Sequence, residues 1–480
     1  MHRRSSRQYL VLLAVAAVFT TAACGQKGGV HVATAGNGGG LAVGTQGGSG
    51  TGGTGTDQGA AGSGQALTPG AAGAPGGTGS ATGPAAGPTG ATGGAGGASG
   101  PTAGGPVGGA GNTTGVTDNS ILIGIHAPLT GAGLPAPQFV TGKDVYFNFI
   151  NKTGGINGRQ VKVVVEDDGY NPSQAVAACK KMVEQDHVFL LVGAAGTDQI
   201  VACAQYAASV GVPYVAEGVT EQGLGNLPNY FAESMTYPAQ GLLLASYIKN
   251  VIQKTKVVMV RADTDNFNDA QTAFQRGASA DGLNVTVIKV SKDGSDALSV
   301  ASQMCQAGGL GGSFVVYPLM APAVFIRLVN AAAGQACFPR YAGIGNTLGI
   351  NEVLAGTCPS QSLRSGASFF TTYPGLDKIN SIDPNYNTAY NAENHQNGDD
   401  LGLAIWAVEK LLAAQISAAG RSLSRQGFLA AVAGKKFSTG VAPDVNYAAT
   451  RFGGTAMHVL IANCTTQKYD TQYTFKSSFP

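Results

Sequence analysis

Thr197, preceded by Gly196, stands where the apolar run Val188–Val192 gives way to helical spacing from Asp198 onward. A hydroxyl beside free backbone N–H groups at the positive end of a helix would hold a carboxylate or another acceptor. The same threonine would also serve as a helix N-cap. Asp198, in the first turn, leans toward that second role, because its charge opposes a nearby carboxylate. Neither role needs a nucleophile, and the segment after residue 117 contains no Gly-x-Ser-x-Gly, no His-Glu-x-x-His and no Walker loop. His126 and His187 lie beside apolar runs and are expected to fill strand edges. Asp167-Asp168 end a third run, where a solvated loop or a cap is expected rather than metal binding. Gly343-Ile344-Gly345-Asn346-Thr347-Leu348-Gly349 has the wrong last spacing for a dinucleotide loop and reads as a flexible cleft loop. No catalysis, metal or cofactor is expected.

There are seven cysteines: Cys24, Cys179, Cys203, Cys305, Cys337, Cys358 and Cys464. All but Cys24 form an even set suited to an oxidising compartment. No Cys-x-x-Cys pair occurs and the six histidines are scattered, which argues against zinc. Six cysteines allow fifteen pairings, and sequence alone does not choose. Spacing favours one set. Cys179 and Cys203 fall on consecutive expected helices around Val188–Val192, and Cys305 and Cys337 repeat this around Phe314–Tyr317. Such helices lie side by side on one face of a right-handed parallel sheet. Cys358 and Cys464 would be left to pair. Free buried thiols are the alternative.

The elements that must position these residues alternate. Apolar runs predict strands at Ile121–Ile125, Val161–Val165, Val188–Val192 and Pro213–Ala216. Between them, helical spacing covers Ala136–Asn151, Pro172–Gln185 and Asp198–Val210. The alternation restarts after Pro238. Helices are expected at Ala239–Val251, Asn268–Asp281, Ala297–Ala307 and Pro322–Ala333. Strands are expected at Lys256–Arg261, Val285–Val290, Phe314–Tyr317 and Tyr341–Ile344. Asp399–Ala419 is a long helix holding the only tryptophan, Trp406, and His458–Ala462 is a late strand. The fold class is therefore α/β, two doubly wound parallel-sheet lobes in tandem. The roughly 360 residues involved exceed one comfortable core.

The N-terminus reads as an export signal. Arg3, Arg4 and Arg7 precede an apolar run, Leu10–Phe19, too short to span a bilayer. Thr21-Ala22-Ala23-Cys24-Gly25 resembles a lipobox without its usual leucine, so Cys24 is the expected lipidation site. Residues 25–117 are mostly Gly, Ala, Thr, Ser and Pro and hold about half of the chain's 73 glycines. They carry too little apolar bulk to offset ordering entropy, so a disordered Gly-rich tether with a span of roughly 50 Å is expected. A net charge of +2 with mixed signs gives no nucleic-acid surface. No later segment is expected to cross a membrane.

Five motifs in order then carry a resemblance. They are Ile123-Gly124-Ile125-His126-Ala127-Pro128-Leu129-Thr130-Gly131, Gly154-Gly155-Ile156-Asn157-Gly158, Asp167-Asp168 with Asn171-Pro172 and Ala175, Gly193-Ala194-Ala195-Gly196-Thr197, and Gly211-Val212-Pro213. The chain resembles the branched-chain amino-acid binding proteins of ABC importers, the type I periplasmic-binding fold, from about Ile121 to the C-terminus. The resemblance implies two lobes joined by a three-segment hinge that closes on a ligand. After the signal peptide 1–23 and the tether 24–117, it implies a first lobe of 118–238 plus 366–440 and a second of 239–365 plus 441–480. The implied partners are a small-molecule ligand, an ABC permease and ATPase complex, and the membrane through the Cys24 lipid. The implied location is extracytoplasmic. A ligand-sensing domain of the same fold is the alternative.

The resemblance also assigns residues. Gly218 and Thr220 take positions whose backbone and hydroxyl bind the ligand's α-groups, Thr130 would line the same cleft, and Phe267 aligns with a cleft aromatic. The family pairs the ligand ammonium with an acid in a second-lobe loop, yet Ala342–Thr347 has none. A family aromatic falls near Leu319 or Met320. Glu217, Glu221 or Asp265 could replace the missing acid. A carboxylate, amide or aromatic ligand without an ammonium fits equally well.

Overall fold

The computed structural model describes residues 111–134, 136–309 and 313–480. The expected signal peptide, Cys24 and nearly all of the tether lie outside them.

The first lobe runs β1 (Ser120–Ala127), α1 (Gln138–Thr141), α2 (Val145–Asn151), β2 (Gln160–Asp167), α3 (Pro172–Glu184), β3 (Leu190–Gly193), α4 (Thr197–Ser209), β4 (Tyr214–Ala216) and β5 (Tyr230–Ala232). Its strands pair in parallel in the order β2-β1-β3-β4-β5. β1 and β3 are buried almost throughout, as strands covered by helices on both faces must be. Asn171 caps α3 by accepting from the Ser173 and Gln174 amides, with Pro172 in the first turn. The single helix expected over 136–151 is two, because Gly142 to Asp144 interrupt it.

The chain crosses at Thr236, which caps α5 (Tyr237–Tyr247). β6 (Lys256–Ala262), α6 (Asn268–Ala280), β7 (Asn284–Val290), α7 (Ala297–Gly308), β8 (Val315–Leu319), α8 (Pro322–Gly334), β9 (Arg340–Gly343), α9 (Asn351–Ala355) and β10 (Ser368–Thr371) follow. The order β7-β6-β8-β9-β10 repeats that of the first sheet. The remainder is α10 (Leu376–Ile382), α11 (Asn385–Asn394), α12 (Asp400–Ala418), α13 (Arg425–Val432), β11 (Lys436–Phe437), β12 (Val445–Asn446), β13 (Met457–Asn463) and β14 (Lys468–Lys476). β13 pairs antiparallel with β10 and β14, which makes the second sheet seven-stranded.

Two expected boundaries move. β10 belongs to the second sheet, so that lobe runs past residue 366. Beyond residue 441 the chain first returns to the opposite lobe, where Tyr447 joins the core around β1 and β3 and Phe452 bridges Ala232 of β5. α12 spans both cores: Trp406 packs in the second-lobe cluster, Leu411, Leu412 and Ile416 in the first. Against the sequence expectation, α12 is also long and apolar enough to cross a membrane by length and composition, but two thirds of it is buried inside the protein. It is a core helix.

Cys179 bonds Cys203, tying α3 to α4. Cys305 bonds Cys337, just beyond α8, and Cys358 bonds Cys464 at the β13–β14 turn. His126 lies near the first pair, but its ring is held by Asp168 Oδ2 at 2.8 Å and Tyr214 Oη at 2.6 Å. With both sulfurs bonded to each other, that cluster offers no metal site.

Candidate functional site

In an open parallel sheet of order 2-1-3-4-5, the crevice for a ligand opens beyond the carboxyl ends of the strands where the order reverses. Both lobes have that order, and their switch points face one cavity of about 150 Å³. From the first lobe come Pro128 after β1 and Ala194 to Thr197 after β3. From the second come Phe267 after β6, Leu319 to Pro322 around the end of β8, and Ile344 with Asn346 to Leu348 after β9. The lining is overwhelmingly aliphatic and aromatic.

Its polar groups are few. Thr197 is the first helical residue of α4, and Gly196 holds the N-cap position, so the capping role open to Thr197 from sequence is not the one it takes. Gly196 has φ +86°, and a Cβ there would meet the Gln199 side chain at 2.3 Å. Glycine thus makes the sharp entry that turns α4 toward the cavity. Among the described residues no side chain caps α4. Its leading amides and dipole therefore remain for an acceptor on the ligand.

Glu217 also lines the cavity. Burial pushes its carboxyl up to about 7, with the Thr372 hydrogen bond partly offsetting this. Glu217 Oε1 accepts from Asn346 Nδ2 and from Thr372 Oγ1, the latter at 3.4 Å. Asn346 is itself spent: Nδ2 also donates to Thr372 Oγ1 at 2.7 Å, and Oδ1 accepts from the Thr372 amide at 2.8 Å. Of the three acids that could replace the missing family carboxylate, Glu217 alone lines the cavity. Glu221 accepts from Thr236 at 2.6 Å, and Asp265 accepts from Asn268 at 3.2 Å.

Three sequence-predicted residues do not reach the cavity. Thr220 is fully buried and donates to Asp269 Oδ2 at 2.7 Å, an oxygen that also accepts from the Glu221 and Gln222 amides. It ties the loop after β4 to α6 of the other lobe. The Gly218 amide donates to Ser234 Oγ at 2.7 Å, and a Cβ there would meet the Met235 and Ser234 carbonyls within 2.4 Å. That glycine serves close backbone packing. Thr130 donates to Asp167 Oδ2 at 2.6 Å, and Asp167 also accepts from the Leu129 and Thr130 amides. It shapes the first loop, leaving Pro128 and Leu134 to face the void. Phe267 does line the cavity, with its ring centroid 6.0 Å from that of Tyr237. Sequence reasoning missed Tyr170 and Tyr237, and the entire wall given by α12. The signal for that wall was a helix apolar on every side, which must bury more than one face.

The lobes are clasped across the mouth of the cleft. Asp198 Oδ1 accepts from Thr264 Oγ1 and Asn266 Nδ2, each at 2.7 Å, and Oδ2 pairs with Lys292. Burial pushes the Asp198 carboxyl up, but the bonds from Lys292, Asn266 and Thr264 outweigh this and hold it below the usual range.

A model of the family described as periplasmic binding protein matches residues 120–466. The chain belongs to that family. Among curated relatives, an amino acid binding protein of Pseudomonas aeruginosa is 31% identical over 153 residues, 31% of this chain and 40% of the relative. A Leu/Ile/Val-binding protein homolog of Brucella melitensis is 27% identical over 150 residues, 30% of this chain and 39% of its own. The chain thus spans about two fifths of the length of these relatives. Among solved structures, a fatty acid ABC transporter substrate-binding protein from Thermomonospora curvata superposes with a TM-score of 0.62 at 18% identity, covering 76% of this chain and 95% of that one. A solute binding protein of an ABC transporter from Rhodopseudomonas palustris, in complex with 3,4-dihydroxybenzoic acid, gives 0.60 at 17% identity, with 76% and 99% covered. An isoleucine complex of a branched-chain amino acid transporter substrate binding protein from Streptococcus pneumoniae gives 0.60 at 18%, with 74% and 100% covered. At these identities they show the fold of this periplasmic binding protein. The family and these relatives are binding proteins, not enzymes.

Proposed function

We propose that this chain is an extracytoplasmic solute-binding protein that closes on a small molecule with an apolar body and no ammonium, and passes it to an ABC permease and ATPase complex. The supporting observation is the cavity at the paired switch points: a mainly apolar chamber whose polar features include the uncapped start of α4 and the neutral-leaning Glu217, with Lys143, Glu352 and Glu409 also on its lining. A ligand carboxyl, carbonyl or amide would accept from the α4 amides and the Thr197 hydroxyl. With Glu217 Oε1 already accepting, a proton on Oε2 would donate to the same head group. This proposed chemistry is nearer to that of binders of fatty and aromatic acids than to that of amino-acid binders.

The test is a pH profile. Below about pH 7 Glu217 is protonated and donates; above it the carboxylate repels an acidic ligand. Affinity for 3-phenylpropanoic acid should therefore fall by about tenfold per pH unit above that point. Glu217→Gln keeps a donor without the charge, so it should flatten the profile. Affinity that rises with pH, or a Gln variant with the wild-type slope, would overturn the role of Glu217. Attachment to the membrane through a lipid on Cys24 is part of the proposal; it predicts that Cys24→Ser releases the protein to the medium, and a variant that stays with the membrane fraction would contradict it.

A further inference from the structure

The cavity does not stop at the cleft. We infer that it continues into the first lobe as a narrow apolar channel along α12, built to take the alkyl chain of a linear monocarboxylic acid. This deepens the reading above and rests on it for the placement of the head group.

Leu401, Ala404, Ile405, Val408 and Leu412 all line the cavity. Their spacing puts them on one helical stripe, and Leu401 to Leu412 spans about 16 Å at the rise of an α-helix. Opposite them stand Ile123 and Ile125 of β1, with Phe139 and Phe147 from α1 and α2. These are residues from between a sheet and its covering helices, where a close-packed core leaves no room. Ile405 and Val408 are only half-buried, although Trp406, Ala407 and Leu411 beside them are essentially inaccessible. Each packs against core neighbours on one side and keeps the rest of its surface open to the cavity. An extended alkyl chain rises roughly 1.3 Å per carbon, so the stripe matches about a dozen carbons.

A second observation marks the inner part of this channel. Glu409 lines the cavity and is 2% exposed; among the described residues its Oε1 has no partner, and Oε2 accepts only from the Tyr146 amide at 3.3 Å. Burial, then the Asp144 charge, pushes its carboxyl well above the usual range, which favours the neutral form. An unpaired buried polar oxygen is costly unless a ligand completes it. The channel therefore accepts a chain carrying an oxygen near its far end, such as a terminal hydroxyl.

Calorimetry on the folded protein decides this with hexanoic acid, dodecanoic acid and omega-hydroxydodecanoic acid. Affinity should rise roughly fourfold per methylene buried between hexanoic and dodecanoic acid. Ile405→Trp fills the channel and should cut the dodecanoic-to-hexanoic affinity ratio by a hundredfold or more. Equal affinity of wild type for the two acids overturns the channel on its own, whether or not the Trp variant folds, and leaves the cleft reading intact. An unchanged ratio in a folded Trp variant also overturns it. Absence of binding by every acid, including the short ones, overturns the cleft reading and the channel together. The terminal hydroxyl should strengthen binding in wild type and weaken it in Glu409→Leu. Weakening in both proteins removes Glu409 from the assignment.

Discussion

Asp198→Ala should weaken ligand binding by tenfold or more while leaving both lobes folded. Asp198 extends from the first turn of α4 and takes two 2.7 Å hydrogen bonds, from Thr264 and Asn266, and an ion pair with Lys292, all from the opposite lobe. Because these bonds run from one lobe to the other, parting the lobes would break them. Hydrogen bonds to a charged group contribute about 1.5–3 kcal/mol each in favourable cases. The Lys292 side chain is half exposed, so its ion pair adds little. Even one such bond shifts an open–closed equilibrium by a factor of ten or more, and apparent affinity falls with the closed fraction. The variant should also show a larger radius of gyration by solution scattering without ligand. Unchanged affinity together with unchanged scattering would mean that Asp198 does not act as a latch.

That role was not legible beforehand. In sequence Asp198 reads as a first-turn acid that would oppose a ligand carboxylate. The structure neutralises the objection, because three second-lobe donors consume its charge. The same limit explains Thr220. A threonine after a parallel strand looks alike whether it faces a ligand or, as here, an aspartate 49 residues along the chain. Gly196, Thr197 and Phe267 were legible because their position follows from where strands end and helices begin, which local pattern sets. The channel was not. Ile405 and Val408 are the residues a packed core would use, and only the distance between α12 and β1 separates a wall from a core.

The fold shows a similar division. The first lobe carries Gly and Pro at its turns and continuous apolar strands, and its elements follow from these. β5 has three residues and no readable period. α11, Asn-Tyr-Asn-Thr-Ala-Tyr-Asn-Ala-Glu-Asn, is made largely of weak helix formers and holds through Tyr386 and Tyr390 packed in the core. β10 depends on pairing with β9 and β13, the latter about ninety residues away, which no local signal announces.

The second large effect is discrimination against an ammonium. A buried ammonium needs an ionised and well-bonded partner, or it costs several kcal/mol. Asn346 stands in the second-lobe loop where the family resemblance places an acid, and both ends of its amide are already engaged. Glu217 would have to ionise against burial to replace it. Glu352 and Glu409 also line the cavity, and burial pushes both of their carboxyls up. A penalty of about 2–3 kcal/mol corresponds to roughly 30- to 150-fold in affinity.

Titration calorimetry with matched pairs measures this directly: 4-methylpentanoic acid against leucine, and 3-phenylpropanoic acid against phenylalanine, each pair differing only by the amino group. Each acid should bind at least thirtyfold more tightly than its amino acid. Leucine or phenylalanine binding as tightly as the matched acid, or more so, would contradict the chemistry assigned to the cleft.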